Sequence, residues 1–144
     1  MKAGAPAGVG DATPLRDVMT RAVVSVRPEQ PVDEALQLLV ENTVSGLPVV
    51  DAEHRPVGML SRADVLEEQL DTLRVGAGAQ PVRVRDVMTG HALTLPETAS
   101  VGEAALLMGS YAVHRVPVVD EAGRLVGIVS TLDVLRCLAF RPPR

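Results

Sequence analysis

Gly58-Met59-Leu60-Ser61-Arg62-Ala63-Asp64-Val65-Leu66 and Gly127-Ile128-Val129-Ser130-Thr131-Leu132-Asp133-Val134-Leu135 are one passage written twice, 69 positions apart. Working outward, the same shift lays Pro48-Val49-Val50-Asp51 on Pro117-Val118-Val119-Asp120. It also lays Arg16-Asp17-Val18-Met19-Thr20 on Arg85-Asp86-Val87-Met88-Thr89. Residues 16–66 align with 85–135 without a gap, and 21 of those 51 positions are identical. A period this long is not that of a solenoid; two copies of roughly 57 residues make one pseudo-symmetric module.

The 144 residues suffice for one such module with a proper core, whereas either half alone is marginal because it buries too little of its surface. Apolar residues make up 47% of the chain but aromatics only 1%, so the core must be Val, Leu, Ala and Met. That composition offers almost no stacking platform for bases. A net charge of −4 without a basic run argues against binding driven by nucleic-acid phosphates. The single Cys137 excludes an internal disulfide, and no Cys/His cluster suggests zinc. No apolar stretch is long enough for a signal peptide or a membrane span, so the expectation is a cytoplasmic protein with no membrane partner.

Residues 1–14, rich in Gly, Ala and Pro, read as a flexible tail. The first repeat is expected over 15–72, a connector over 73–83, the second repeat over 84–140 and a short tail over 141–144. Leu15 to Met19 fits one helical turn, and Val23-Val24-Ser25-Val26 a short strand. Pro31 opens a helix with Val32, Ala35, Leu36, Leu39 and Val40 on one face. Two strands follow, Leu47–Val50 and Pro56–Leu60, joined by a turn at residues 51–55, and Ser61 caps a second helix. The second copy repeats this order, with strands at Ala92–Leu95, Val116–Val119 and Arg124–Val129 and helices from Ser100 and Ser130. The unit is β-α-β-β-α.

Chemistry concentrates where the third strand of each copy runs into its helix. Free N–H groups and the helix dipole favour an anion there, and Ser61, Ser130 and Thr131 add hydroxyls. A carboxylate one turn in, Asp64 or Asp133, can accept both hydroxyls of a vicinal diol. Phosphate donors beside a diol acceptor suit a ribonucleotide. Ser-x-x-Asp is equally the pattern of a plain capping box, and the sequence leaves both readings open. The glycine three residues earlier permits close backbone approach.

Taken together, the Asp-Val-Met-Thr opening, the apolar-Pro-Val-Val-Asp strand and the Gly-x-x-Ser-x-x-Asp junction resemble those of a tandem pair of CBS domains, the module named after cystathionine beta-synthase. The resemblance covers residues 13–139. It implies an α+β fold of two repeats packed sheet against sheet, with symmetry-related clefts for AMP, ADP, ATP, S-adenosylmethionine or sometimes NAD, and assembly into homodimers. Carried over by position, it implies that Asp64 and Asp133 bind ribose hydroxyls and that Ser61 and Ser130 lie beside phosphate or ribose. Val24 and Leu93 would frame the adenine, and Val44-Ser45 and Val113-His114 would line the same pocket. The second copy has His114-Arg115 where the first has Ser45-Gly46, so its cleft is expected to prefer the more phosphorylated ligand. Arg62, at the start of a helix, could reach phosphates too. His54 and His91 read as solvated, and Cys137 as a small core residue.

The sequence bears on three kinds of function. A stand-alone regulatory module that senses an adenine nucleotide and signals to a separate effector protein fits best. A structural module with empty clefts, acting through dimerisation, is the alternative. An enzyme is not expected: no triad, metal constellation or paired nucleophile and base is recognisable, and no cofactor is required.

Overall fold

The computed structural model describes residues 12–75 and 81–139. Most of the expected N-terminal tail, the C-terminal tail and the middle of the connector lie outside these residues. A 3-10 turn, Leu15–Asp17, is followed by α1 (Val32–Glu41), β1 (Gly46–Val50), β2 (Pro56–Ser61), α2 (Arg62–Val75), the short α3 (Val84–Val87) and β3 (Thr89–Gly90). Then come β4 (Leu95–Pro96), α4 (Val101–Tyr111), β5 (Arg115–Val119), β6 (Leu125–Ser130) and α5 (Thr131–Ala139). They form two three-stranded sheets, ordered β1-β2-β3 and β4-β5-β6. No described helix is long and apolar enough to cross a membrane.

The duplicated sequence gives duplicated hairpins. Gly46 pairs with Ser61 in one and Arg115 with Ser130 in the other, and the register slips at the twin steps Val49/Val50 and Val118/Val119. Each turn is tied by an aspartate at its start. Asp51 Oδ1 accepts the N–H groups of Glu53 and Arg55, and Asp120 Oδ1 those of Ala122 and Arg124, all at 2.9 Å. The N–H of Arg124 is the main reason that the Asp120 carboxyl lies below the ordinary aspartate range.

The first strand of each copy is shorter than expected. Val23–Val26 makes only one parallel bridge, Val26 to Val49, because a turn at Arg27–Gln30 carries the chain away at once. Its twin region pairs only through Leu95–Pro96, parallel to β5.

The described residues gather into two compact units, each with its own aliphatic core. One is continuous, residues 24–92; the other is split, combining residues up to 23 with those from 93 onward. In the split unit Leu15 is fully buried with Val101, Val116, Val118 and Val129. Backbone bonds hold it there: Leu15 N–H to Ala99 O at 2.8 Å, and Thr20 and Ile128 exchanging bonds of 2.9 Å. In the continuous unit Val84 is the buried counterpart, packed with Val26, Leu47, Val49 and Leu60, and β3 pairs with β2. Each Arg-Asp-Val-Met-Thr segment therefore closes the core built by the other copy.

Gly58 and Gly127 are required by these segments. The close approach that a glycine permits there is made by protein: a Cβ on Gly58 would stand 2.5 Å from the Thr89 carbonyl oxygen and 3.0 Å from Met88 Sδ. On Gly127 it would meet Met19 Sδ at 2.5 Å and the Thr20 carbonyl at 3.0 Å. A thioether can swing aside, whereas a carbonyl engaged in a sheet cannot. Gly58→Ala should thus destabilise the fold by about 1–3 kcal/mol, and Gly127→Ala by less. Chemical denaturation checks the order; equal midpoints for the two variants would refute it.

Candidate nucleotide-binding junctions

β2 ends on Ser61 and α2 begins at Arg62; β6 ends on Ser130 and α5 begins at Thr131. The turn from strand to helix leaves the first helical N–H groups without intrahelical partners. At the first junction Ser61 Oγ accepts the Asp64 N–H and Asp64 Oδ2 accepts the Ser61 N–H, both at 3.0 Å. At the second, Asp133 Oδ2 accepts the Ser130 N–H at 2.8 Å and the Ser130 hydroxyl at 3.0 Å, while Ser130 Oγ accepts the Asp133 N–H at 3.2 Å. Both are reciprocal capping boxes. Both carboxylates nevertheless use only Oδ2. Among the described residues Oδ1 of Asp64 and of Asp133 has no partner, and both side chains are half-buried.

The expected pocket-lining pairs sit directly beside these caps. α1 and α4 end in left-handed residues, Thr43 (φ 53°) and Ala112 (φ 54°), which turn the chain back. The N–H groups of Val44 and Val113 then bond Leu39 O and Met108 O at 3.2 Å. Ser45 O accepts the Arg62 N–H, and His114 O the Thr131 N–H, at 2.9 Å. The structure thus groups Val44, Ser45, Ser61, Arg62 and Asp64 in the continuous unit. In the split unit it groups Val113, His114, Arg115, Ser130, Thr131 and Asp133. Val24 packs on the core of the continuous unit and Leu93 is half-buried; among the described residues no hydrogen bond ties either to a junction.

Each junction has one arginine, differently placed. Arg115 lies across the hairpin from Ser130, where the continuous unit has Gly46 opposite Ser61. Arg62 instead opens its helix, where the split unit has Thr131. An arginine at such a position can bind a phosphate bidentately. His54 and His91 are exposed, and no cluster of metal-ligating side chains occurs among the described residues.

One feature was not anticipated. In the split unit an open apolar pocket of about 420 Å³ lies between α4 and α5, floored by Met108 and Val134 and reaching His114 and Thr131. Its cause is legible afterwards: Ala105 and Gly109 stand where the first copy has Leu36 and Val40.

The CBS domain model matches twice, over residues 15–71 and 84–140. Among solved structures the chain resembles the CBS-pair protein CBSX2 from Arabidopsis thaliana. Against CBSX2 in complex with AMP the TM-score is 0.77 at 34% identity, covering 88% of this chain and 96% of that one. The CBS domain pair of protein MJ0100, in complex with 5-methylthioadenosine and S-adenosyl-L-methionine, gives 0.75 at 25% identity, covering 88% and 99%. Inosine-5'-monophosphate dehydrogenase of Methanocaldococcus jannaschii is 34% identical over 120 residues, which are 83% of this chain. The chain spans only 22% of that enzyme's length, and the same share of the next two dehydrogenases it matches. The chain belongs to the CBS-domain family, as a tandem pair of repeats with a mixed α+β fold.

Proposed function

We propose that this CBS pair is a cytoplasmic regulatory module that binds an adenosyl ligand, AMP, ADP or ATP foremost and S-adenosylmethionine next, and signals to a separate protein. The observation that carries the reading is the half-occupied carboxylate: at each junction Oδ2 caps the helix while Oδ1 remains available to a ribose diol. CBSX2 and MJ0100 taking adenosyl ligands supports the same class here. Arg115 and His114 make the split unit's junction the better phosphate site, and the continuous unit suits a less charged ligand. Binding shifts the protein toward whichever conformation holds the ligand better, and only by that difference in affinity. The module works as a homodimer.

The reciprocal caps favour a second reading, in which the carboxylates serve the helices alone and the module acts by association. Melting separates the two. A ligand at 100 times its dissociation constant adds about 2.7 kcal/mol, a shift of several degrees for a domain of this size. AMP, ADP, ATP and S-adenosylmethionine are the set to test; a flat response to all four supports the association reading.

A further inference from the structure

Each opening segment sets a methionine on a glycine, but solvent reaches the two methionines differently. Met19 is 8% exposed, and its neighbour Thr20 exchanges two backbone bonds of 2.9 Å with Ile128. Met88 is only half-buried. Its Sδ and Cγ lie 3.0 and 3.5 Å from the point that a Cβ on Gly58 would occupy, and its side chain packs on the core of the continuous unit. The strand pairing that follows it is two residues long, Thr89 and Gly90 against Met59 and Gly58. Upstream the segment is tied independently, by Val32 N–H to Val82 O and Val84 N–H to Gln30 O, both at 2.9 Å. Of the other described methionines, Met108 is 6% exposed, and Met59 is half-buried on the face of β2 opposite Gly58 and Leu60.

We propose that Met88 is an oxidation site whose sulfoxide unlatches β3 from β2. Hydrogen peroxide transfers one oxygen to Sδ. The sulfur lone pair forms the S–O bond as the peroxide O–O bond breaks, so the thioether loses two electrons and the peroxide leaves as water. The product puts a polar acceptor where an apolar sulfur lay against Gly58. The atom closest to that point is the Thr89 carbonyl oxygen, at 2.5 Å, which is itself an acceptor and gives the sulfoxide no hydrogen bond. Burying an acceptor without a donor is costly, so the side chain turns out to water and draws Thr89 and Gly90 off β2. Gly58 stands three residues before Ser61 on β2, and the loosening therefore reaches the Ser61–Asp64 cap. Met19, sealed in its own core, is spared. The device is independent of which ligand the junctions hold.

Hydrogen peroxide added to the folded, full-length chain tests this, read by peptide mass mapping and hydrogen exchange. Met88 is expected to gain its oxygen at least about tenfold faster than Met19 or Met108, because susceptibility follows exposure. Once Met88 is oxidised, amides of β3 and of residues 58–61 should exchange faster. Methionine sulfoxide reductases acting on both epimers should return them to their original rates. Met88→Leu keeps volume and apolar packing, and should make exchange in β2 and β3 insensitive to peroxide. Met88→Gln, polar and of similar length, should reproduce the oxidised pattern without peroxide. Equal oxidation rates at Met88 and Met19 would overturn the proposal. So would an oxidised Met88 with unchanged exchange, or a response in β2 and β3 that survives Met88→Leu. A response that disappears in Met59→Leu belongs to Met59 and overturns it as well.

Discussion

Asp133→Ala is expected to lower adenosyl-ligand affinity at the split unit by about a hundredfold or more, since two hydrogen bonds to a charged acceptor are lost. In a calorimetric titration with AMP the site at that junction then vanishes while the other is unaffected. Asp64→Ala has the converse effect, and the double variant binds nothing. Loss of the cap is a separate consequence, because Asp133 Oδ2 holds the Ser130 N–H and hydroxyl. It destabilises the unliganded protein by about 1 kcal/mol. Asp133→Asn distinguishes the two roles. Its amide oxygen can still take the Ser130 N–H, whereas its NH2 cannot accept from a diol. A variant as stable as wild type but poor in binding supports the ribose role. Unchanged titrations in all of these proteins would remove both carboxylates from the site.

Leu15→Ala should cost about 2–5 kcal/mol, the range for a fully buried leucine truncated to a methyl group. Its location makes the result diagnostic. Leu15 belongs by sequence to the first copy, but it is 0% exposed in the core made by the second, against Val101 and Val116. Hydrogen exchange should therefore quicken in β5, β6 and α4, while β1 and β2 of the continuous unit keep their protection. Val84→Ala is the mirror experiment, loosening β1 and β2 instead. Exchange that quickens in β1 and β2 on Leu15→Ala would show that the segment packs on its own copy.

Much of this was legible from local pattern. α1 and α4 follow from apolar spacing after Pro31 and Ser100, and the hairpins from β-branched runs around an aspartate-led turn. Family, elements and the Ser-x-x-Asp junction came from the duplication. What escaped was long-range. Nothing in Arg-Asp-Val-Met-Thr says which core Leu15 or Val84 will enter, because both cores are aliphatic and equally welcoming. Gly58 and Gly127 were read as allowing a close approach, but the sequence did not say that a methionine and a threonine carbonyl of the opening segment from the other copy would make it. The run Val23–Val26 looked like a strand by propensity, but strand length is set by available partners, and Val26 finds only Val49. The pocket in the split unit escaped because Ala105 and Gly109 read as ordinary helix residues until compared with Leu36 and Val40.

The discontinuity of one unit has a consequence for the nascent protein. Residues 24–92 are complete, and free to fold, as soon as they clear the ribosome. Leu15 and Met19, made earlier, must wait for Val101, Val116 and Val129 to emerge. At cellular elongation rates of about 5–20 residues per second, the stretch from Leu15 to Val129 takes roughly 6–23 s. During that time a greasy leader stays in reach of chaperones, and the last-made unit is the one that finally shelters it.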